Sequence, residues 1–399
     1  MKIAYLTVSM PFGYSEAFLI PEAVALQELE KEVVIIPRSP SGQLISQDAA
    51  PIAGTAIEKP LLSFEILLKA AVFAVLHPGR FATSVLPLFA QLSLTHSIKN
   101  AIVIPKALWL ADLVMKRGIA HIHCHWALTT ATIALVASKA SGVKWSLTCH
   151  RGDIADNNLL GLKLKSACFT RFISEDGRQM AASLAGAQAC SKSCVIRMGV
   201  KTPSTIKPFC GTHPRIICPA NLLPVKGHSY LIQAANILKH KGLNFEVLIA
   251  GKGPLEQDLK HQVDTLGLSK HVIFVGQLAH HELLGYYEAG EVFAVVLPSV
   301  DLGKNLREGV PVCLIEALAY GVPAISTSTG GIPELLEGVG ILVKDKDPEA
   351  LADAIELMIK NEAERQRMIV AGLNKVRDEY DVSKTARLLL EKIKGCAES

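Results

Sequence analysis

The sequence predicts an α/β protein built from two doubly wound domains in tandem, each with a parallel sheet between layers of helices. Short apolar runs rich in β-branched residues alternate with segments of helical length, regularly in the second half of the chain and less regularly in the first. Continuous apolar strands of this kind are typical of parallel sheets that are covered on both faces. The length of 399 residues also exceeds one compact core, since a domain takes about 100–200 residues.

The first domain is predicted over residues 1–203. A long, apolar and sparsely charged stretch from about Leu61 to Lys116 is predicted to be helical, and Lys201–Pro214 is interpreted as the linker. The strands are expected at Lys2–Val8, Glu32–Pro37, Ala120–His125, Lys144–Cys149, Phe169–Ile173 and Val195–Met198, and the clearest helices at Phe18–Leu29 and Thr129–Ala140.

The second domain is predicted over residues 204–381, and a final helix of about 382–399 could pack back on the first domain. In parallel α/β sheets, ligands bind beyond the carboxyl ends of the strands, so the binding site is expected in the cleft between the two domains. The strands are expected at Arg215–Ala220, Phe245–Ala250, Val272–Val275, Val292–Leu297 and Ala324–Thr327, and the helices at His228–Lys241, Leu255–Leu266, His281–Ala289 and Pro311–Tyr320.

Composition and charge exclude several classes of protein. Half of the residues are hydrophobic, which is too many for a disordered chain. A net charge of +4 is too small over this length to indicate a nucleic-acid partner, and none is expected. The charge is unevenly spread, because residues 1–200 contain 19 Lys and Arg against 13 Asp and Glu. A basic first half would suit an anionic surface such as a membrane.

The cysteines and the apolar segments indicate where the protein works. Nine cysteines without a repeated spacing favour free thiols in a reducing compartment. The N-terminal apolar run is too short for a signal peptide. Phe81–Ile98 and Gly118–Ser138 are uncharged but interrupted by proline, histidine or other polar residues, so no transmembrane helix is expected. We therefore expect a cytoplasmic protein, with peripheral contact at the inner face of the cell membrane left open.

Two carboxylates of the second domain are candidates for binding the hydroxyls of sugar rings. Glu308 is predicted in the loop after the strand Val292–Leu297, and Glu316 follows eight residues later in a helix that opens near Pro311. The first backbone N–H groups of that helix carry a partial positive charge, which suits a phosphate. The alternative is that both glutamates are ordinary surface side chains, and their spacing alone leaves the two interpretations level.

The whole segment Pro298–Leu335 resembles the carboxylate signature of the retaining GT-B glycosyltransferases of family 4. In that signature, Glu-x7-Glu precedes a short apolar helix, Gly-x-Pro and a Gly-Gly-x-Pro-Glu turn, here Gly321–Pro323 and Gly330–Glu334. The resemblance implies the GT-B fold, with two Rossmann-like domains that face a cleft. It implies that Glu308 contacts the transferred sugar and Glu316 the nucleotide ribose. The donor-binding turn between them would be Gly309, Val310, Pro311 and Val312.

Other matches to the family's donor site follow in the same order along the chain. Lys226 lies in the turn where family members place an Arg and a Lys on the donor diphosphate. Asn221 occupies the Arg position, so either Arg307 compensates or the diphosphate is held less tightly. Gly276 and Gln277 match the turn whose backbone binds the nucleotide base. The resemblance covers essentially residues 215–345.

A histidine motif in the first half resembles the acceptor domain of the same family. Cys149–Asp153 matches a Thr-x-His-x-x-Asp pattern, whose histidine reaches hydroxyls of the donor sugar. The resemblance therefore implies a catalytic role for His150, beside the alternative of a structural histidine. Arg151 and Asp153 of this motif, together with His125 at the end of a strand, are expected on the acceptor side.

The first strand–helix loop, Met10–Phe18, also resembles its counterpart in the family. It contains Gly13, Ser15 and Glu16, and the form Pro-x-x-Ser-Glu-x-Phe occurs in a subgroup associated with bacterial exopolysaccharides and lipopolysaccharides. The resemblance implies that Gly13 and Glu16 contribute to donor binding, because a glycine lets the backbone approach a diphosphate.

Three histidines at alternate positions of one predicted strand raise a metal-binding alternative. His121, His123 and His125 would share one face of the strand, and imidazoles at this spacing can share an ion. No matched carboxylate or second cysteine pair completes such a site in the sequence. The resemblance implies that backbone and Lys or Arg groups neutralise the leaving diphosphate, so neither a metal nor another cofactor is expected.

The apolar helices of Lys59–Arg117 have two interpretations of similar weight. They could lie on an anionic membrane, near a polyprenyl-linked acceptor, with Lys99, Lys106 and Lys116 at the lipid surface. Their apolar faces could instead pack on the first domain, with the cations in solvent.

The resemblance implies a hexosyltransferase-type enzyme that moves a sugar from a nucleotide diphosphate sugar to a saccharide or lipid-linked saccharide acceptor, with retention, in the synthesis of a cell-surface polysaccharide. Two alternatives stay open. One is another GT-B reaction, such as that of a sugar-nucleotide epimerase or a phosphorylase. The other is a non-catalytic nucleotide-sugar-binding partner of a polysaccharide assembly complex, which Asn221 favours.

Overall fold

The computed structural model describes residues 1–13, 16–89, 93–303 and 306–398. The chain forms two compact units. Unit 1 comprises Met1–Gly199 together with Val382–Ser399, and unit 2 comprises Val200–Asp381.

Unit 1 is built on a six-stranded sheet in which every strand pairing is parallel. The strand order is β2-β1-β3-β4-β5-β6, so the chain changes winding direction between β1 and β3. The strands are β1 Ile3–Thr7, β2 Val33–Pro37, β3 His121–His125, β4 Lys144–Cys149, β5 Thr170–Phe172 and β6 Ser193–Val195. Ligands of doubly wound sheets bind at such a switch point, beyond the carboxyl ends of the strands.

Helices cover both faces of this sheet. Successive residues of β1 point to opposite faces, so Ile3 and Tyr5 join one apolar core while Ala4 and Leu6 join the other. The helices are α1 Ile20–Leu29, α2 Ala50–Ala53, α3 Phe64–Leu76, α4 Pro78–Val85, α5 Leu94–Arg117, α6 Thr129–Ser141, α7 Arg151–Asp156, α8 Leu160–Ser166 and α9 Glu175–Ala185. The two cores explain why β1 is buried along its whole length.

Unit 2 repeats this architecture with the strand order β12-β11-β10-β7-β8-β9, again with parallel pairings, and its switch point lies between β7 and β10. The strands are β7 Arg215–Pro219, β8 Glu246–Ala250, β9 Val272–Gly276, β10 Ala294–Leu297, β11 Ala324–Thr327 and β12 Ile341–Val343. The helices are α10 His228–His240, α11 Glu256–Thr265, α12 His280–Glu288, α13 Val312–Ala319, α14 Ile332–Leu336, α15 Pro348–Lys360 and α16 Glu362–Lys375, with a π-helical turn at Val376–Tyr380.

The last helix of the chain, α17 Val382–Glu398, belongs to unit 1. Its apolar side chains Ala386, Leu389 and Ile393 are buried in the core that also contains α1. The helix approaches the backbone so closely at Gly199 that a Cβ atom there would lie 2.5 Å from the Cα atom of Val382.

Several boundaries differ from the sequence prediction. The predicted strand Val195–Met198 overlaps β6 in one residue only, because β6 is Ser193–Val195. The long predicted helical stretch is divided into α3, α4 and α5, with Pro78 at the first position of α4 and Ser93 capping α5 through its side-chain oxygen. The short elements α7, α8 and β12 were not predicted, since they have too few residues to show a clear period. The helices α9 and α16, of 11 and 14 residues, were not predicted either.

The apolar helices of unit 1 are too short or too polar to cross a membrane singly. Among the described residues, no single helix is both long and apolar enough to do so. The helix pair Phe64–Leu76 and Pro78–Phe89 meets the length and composition criteria when taken together, but it is bent by 111°.

Candidate functional site

The switch point of unit 2 brings together two of the predicted site residues. Lys226 lies in the 3₁₀ turn that follows β7, and Glu308 lies in the loop that follows β10. The Nζ atom of Lys226 is 2.6 Å from Oε1 of Glu308, with the two side chains 20% and 14% exposed. Burial alone would lower the pKa of Lys226, but the interactions with its neighbours, of which the charge of Glu308 is the largest, together leave that pKa raised. A charged pair therefore stands where a doubly wound domain binds its ligand.

The loops around this pair interlock backbone against backbone, which requires glycine at two positions. Gly227 has φ +67°, and a Cβ atom there would lie 1.9 Å from the carbonyl oxygen of Pro298. Gly330 has φ +57°, and its Cβ atom would lie 1.9 Å from the carbonyl oxygen of Glu308. The loops that follow β7, β10 and β11 thus hold one another in place, and they fix the position of Glu308.

The helix α13 supplies the second predicted carboxylate. Pro311 precedes it in an extended conformation and has no side chain that could cap the helix, so the first N–H groups, from Val312 onward, point out of the helix end. Glu316 lies in the second turn, is 8% exposed, and Oε1 is 2.6 Å from Nε2 of His280. His280 is a residue that sequence reasoning missed, since nothing in the motif marks the histidine at the start of α12.

The remaining donor-side predictions lie in unit 2 as follows. Asn221 is exposed just beyond the end of β7. Arg307 is half-buried beside Glu308, with Nη1 3.5 Å from Oδ2 of Asp301. Gly276 ends β9 with φ +75°, followed by the exposed Gln277. Because β9 is an edge strand of this sheet, Gly276 and Gln277 lie two strands away from the switch point.

The switch point of unit 1 is organised around Glu16. Its carboxylate accepts hydrogen bonds from the backbone N–H groups of Val8, Ser9 and Met10 and from Nε1 of Trp126, at 3.0, 2.6, 2.9 and 2.6 Å respectively. Only 1% of Glu16 is exposed. The carboxylate therefore shapes the loop after β1 and ties it to the end of β3, and this geometry does not favour direct contact with a donor.

Gly13 lies in the same loop. It has φ +79°, and its N–H group donates to the carbonyl oxygen of Gln43. Ser15, which belongs to the predicted loop motif, lies outside the described residues.

His150 stands at the carboxyl end of β4, next to the same switch point. Its ring stacks on Trp126, with centroids 4.2 Å apart, and its Nε2 atom is 3.3 Å from Nδ1 of His125. Burial holds the pKa of His150 well below its usual value. The ring is therefore a neutral imidazole at neutral pH, suited to hydrogen bonding with a hydroxyl group.

The other residues of the His150 motif point into the protein. The Asp153 carboxylate accepts from the backbone N–H groups of His150 and Ala127, and only 1% of the residue is exposed. Burial raises the pKa of Asp153 to about 7 despite these hydrogen bonds. The guanidinium of Arg151 is buried and pairs with Asp176. These contacts give both residues a structural role at the start of α7.

Two histidines of strand β3 form hydrogen bonds with the neighbouring strand β4. Nε2 of His121 and Nδ1 of His123 lie 2.7 and 2.8 Å from Oγ of Ser146, and Nε2 of His123 lies 3.0 Å from Oγ1 of Thr148. Burial holds the pKa of His123 well below its usual value. Over the described ranges, no group of three or more His, Cys, Asp or Glu side chains is placed to hold a metal ion.

The predicted basic surface of Lys59–Arg117 needs one correction. Lys106 does not face solvent, since it is 1% exposed and its Nζ atom donates to the carbonyl oxygens of Lys59 and Pro60, at 2.6 and 3.3 Å. Burial lowers its pKa to about 8. Lys99 is exposed as predicted, and Lys116 is exposed and paired with Asp112.

Residues 205–375 match the family model described as Glycosyl transferases group 1. Over 179 residues the chain is 35% identical to the amylovoran biosynthesis glycosyltransferase AmsK of Erwinia amylovora, covering 44% of each chain. Over 170 residues it is 37% identical to the putative colanic acid biosynthesis glycosyltransferase WcaL of Escherichia coli K12, covering 41% of each chain. The matched region thus spans less than half the length of these curated relatives.

Among solved structures, a glycosyltransferase from Rickettsia africae is similar over nearly the whole chain. The TM-score is 0.70 at 18% identity, and the match covers 99% of this chain and 98% of the other. At this identity the similarity concerns the fold alone. The predicted fold class, α/β of the GT-B type with two Rossmann-like domains, is confirmed.

Proposed function

We propose that this protein is a retaining glycosyltransferase that moves a sugar from a nucleotide diphosphate sugar to a saccharide or lipid-linked saccharide acceptor, in the synthesis of a cell-surface polysaccharide. The observation that carries the proposal is the Lys226–Glu308 pair at the switch point of unit 2. It lies inside the segment that matches Glycosyl transferases group 1. The names of AmsK and WcaL, which concern amylovoran and colanic acid, support the polysaccharide product.

In the proposed complex, the donor diphosphate replaces Glu308 as the partner of the ammonium group of Lys226. Glu308 now lies 2.6 Å from that ammonium group, and it is released to accept hydrogen bonds from hydroxyls of the transferred sugar. Glu316 accepts from the ribose hydroxyls in the same way, in exchange for His280. The carboxylates and the ammonium group each exchange one partner for another, so every charged group keeps a charge-assisted hydrogen bond when the donor binds.

The proposed reaction proceeds on one face of the sugar. The bond between the anomeric carbon and the diphosphate oxygen breaks, while a bond to the acceptor hydroxyl oxygen forms on the same side. The hydroxyl proton passes to an oxygen of the leaving diphosphate, so no enzyme nucleophile is needed. Lys226 and the N-terminus of α13 stabilise the charge that develops on the diphosphate, and no metal ion is required for this step.

In unit 1, the proposal gives His150 a hydrogen bond to a sugar hydroxyl. Its neutral ring can serve as donor or acceptor without introducing a charge beside the reacting sugar. Gly13 and Glu16 contribute indirectly, because they hold the loop after β1 that lies beside Trp126. Arg151 and Asp153 contribute by fixing the start of α7, on which His150 depends.

We also propose that the protein contacts an anionic membrane, near its acceptor, through the helices α3 to α5. The helix α3 is apolar on both faces, and only the face with Ile66, Ala70 and Phe73 is buried. Phe64, at 82% exposed, and Val75, at 78%, lie outside that face. Exposed side chains of α3, of α5 and of the turn between α4 and α5 also include Leu67, Leu68, Val72, Leu76, Leu86, Phe89, Leu94, Ile98 and Ile102. So much exposed apolar surface marks an interaction site, and nearby Arg80 and Lys99 favour anionic lipid.

The donor proposal is tested by thermal-shift measurements with UDP, GDP and ADP and with their sugars, followed by an assay of donor hydrolysis without acceptor. One nucleotide should raise the melting temperature, and its sugar should be hydrolysed slowly by the wild type. The variant Lys226→Ala should lose both effects. Stabilisation by none of the nucleotides would contradict the proposal, and so would stabilisation without any turnover, which would favour a non-catalytic binding partner.

A further inference from the structure

A chain of buried polar groups links Arg171 to His150 through the core of unit 1. Oε2 of Glu22, on α1, lies 2.6 Å from Nη1 of Arg171. Oε1 of Glu22 accepts from the hydroxyl of Tyr5 at 2.8 Å and lies 3.1 Å from Nε2 of His125. Nδ1 of His125 lies 3.3 Å from Nε2 of His150. Glu22, Arg171 and His125 have no exposed side-chain surface.

The carboxylate of Glu22 is ionised at neutral pH. Burial alone would raise its pKa, but the guanidinium of Arg171 and the hydrogen bond from His125 together lower it well below the usual value. Arg171 is itself fixed, since Nε and Nη2 donate to the carbonyl oxygens of Ile196 and Arg197, each at 2.7 Å. A fixed positive charge thus keeps a buried negative charge in place.

An ionised carboxylate only accepts hydrogen bonds, and this decides where the protons of the chain lie. The hydroxyl of Tyr5 lies 2.8 Å from Oε1 of Glu22 and 2.6 Å from Nε2 of His125, and that Nε2 atom lies 3.1 Å from the same carboxylate oxygen. An unprotonated Nε2 would set its lone pair against the carboxylate, so the Nε2 atom of His125 carries a proton. When the Nε2 proton is the only one on the ring of His125, its Nδ1 atom is an acceptor and receives the proton on Nε2 of His150. The Nδ1 atom of His150 is left with a free lone pair.

We propose that Glu22 and His125 are positioning residues that fix the tautomer of His150, so that Nδ1 of His150 is the atom that accepts a hydrogen bond from a sugar hydroxyl. The stacking on Trp126 and an edge contact with Phe18, 4.2 and 5.7 Å between ring centroids, hold the plane of the ring. The chain of hydrogen bonds then determines which ring nitrogen of His150 carries the proton. That the hydroxyl group belongs to a sugar rests on the proposed function. The tautomer of His150 does not depend on that function.

The tautomer is tested on the wild-type protein by ¹⁵N NMR of its histidine side chains, with the His150 signals assigned by their loss in His150→Gln. At neutral pH we expect Nε2 of His150 to be protonated and Nδ1 to be unprotonated. A proton on Nδ1, alone or together with Nε2, would overturn the proposal. This measurement needs no substrate, so it distinguishes failure of the proposal from failure of the proposed function.

The positioning role is tested with His125→Gln and the matched control His121→Gln. The glutamine amide at position 125 still reaches Glu22 as a donor, but it removes the acceptor at the position of Nδ1. His121 is equally buried on the same strand and bonds to Ser146, outside this chain of groups.

We expect His125→Gln to mix the two tautomers of His150 and to lower kcat/KM for sugar transfer about tenfold, the size of one lost hydrogen bond. Nucleoside diphosphate affinity, which depends on unit 2, should be unchanged. The His121→Gln variant should keep both the tautomer and kcat/KM. Equal losses of kcat/KM in the two variants, or an unaltered tautomer in His125→Gln, would overturn the positioning role.

Discussion

Glu308 and Glu316 have different partners in the ligand-free protein, and their proposed roles differ accordingly. Glu308 is paired with Lys226, the proposed contact of the diphosphate, whereas Glu316 is paired with the neighbouring His280. Loss of a carboxylate should therefore affect different stages of the reaction at the two positions. The proposal assigns nucleotide binding to Glu316 and sugar orientation to Glu308.

Glu316→Ala should weaken binding of the free nucleoside diphosphate by about 1.5–3 kcal/mol, because it removes a charge-assisted hydrogen bond to the ribose. Glu308→Ala should leave that affinity nearly unchanged and abolish turnover. Calorimetric titration of both variants, with a turnover assay, measures the difference. Equal losses of nucleotide affinity in the two variants would be incompatible with this division of roles.

Asn221 is exposed at the end of β7, and the contact of Arg307 with Asp301 directs that guanidinium toward a carboxylate. Asn221→Arg should therefore add a cation beside the diphosphate and tighten nucleoside diphosphate binding by about 0.5–1.5 kcal/mol. Asn221→Gln, which extends the side chain without charge, is the control. Weaker binding by the Arg variant would show that Asn221 has a role of its own.

Gly330 illustrates how a backbone position supports the site. In Gly330→Ala the Cβ atom would meet the carbonyl oxygen of Glu308 at 1.9 Å, and the residue would also keep its positive φ. Gly242→Ala is a matched control, since Gly242 has φ +72° and a Cβ atom added there would have no neighbouring atom within 4 Å. Urea denaturation should show a loss of about 1–2 kcal/mol for the control and a clearly larger loss for Gly330→Ala. Similar losses would mean that the loops can move apart.

The helices α3 to α5 have one packed side and one exposed apolar side, which bears on both sequence interpretations of Lys59–Arg117. One face of α3 packs on unit 1, as the core interpretation requires, while Phe64 and Val75 are exposed on the other side. On α5, Leu94, Ile98 and Ile102 are exposed at a spacing of four residues, which places them along one side of its first half. The surface is more apolar and less basic than the sequence suggested.

The wild-type protein should sediment with vesicles that contain phosphatidylglycerol and not with neutral vesicles. Added salt should weaken this binding, because the attraction to Arg80 and Lys99 is screened within about 10 Å at 0.1 M. The triple variant Phe64→Ser, Val75→Ser, Leu94→Ser should lose the binding, while the control Val370→Ser, at a residue 57% exposed on α16, should keep it. Binding by the triple variant at the wild-type level would contradict a membrane role for these helices.

The two parallel sheets could be predicted from the sequence because each strand is visible in it as a short apolar run between helices. In unit 2 the predicted strand ends lie within two residues of the observed ones. The pairing of Lys226 with Glu308 could be anticipated too, because both follow strands of one sheet. Such features need only local patterns and the topology of doubly wound sheets.

What the sequence could not predict depends on contacts between distant parts of the chain. Lys106 is buried because its Nζ atom meets the carbonyl oxygens of Lys59 and Pro60, and no local pattern records that meeting. Glu16 was expected to bind a donor, but three backbone N–H groups of its own loop occupy its carboxylate. One available signal of a buried ionic group was Arg171, a charged residue within the predicted strand Phe169–Ile173.

Retention of configuration distinguishes the proposed sugar transfer from an inverting reaction. It is measured by ¹H NMR of the anomeric proton during the first minutes of turnover of the donor that stabilises the protein. We expect the product sugar to appear first with the anomeric configuration of the donor, in the wild type and not in Lys226→Ala. First appearance of the opposite anomer would contradict it, as would turnover that does not depend on Lys226.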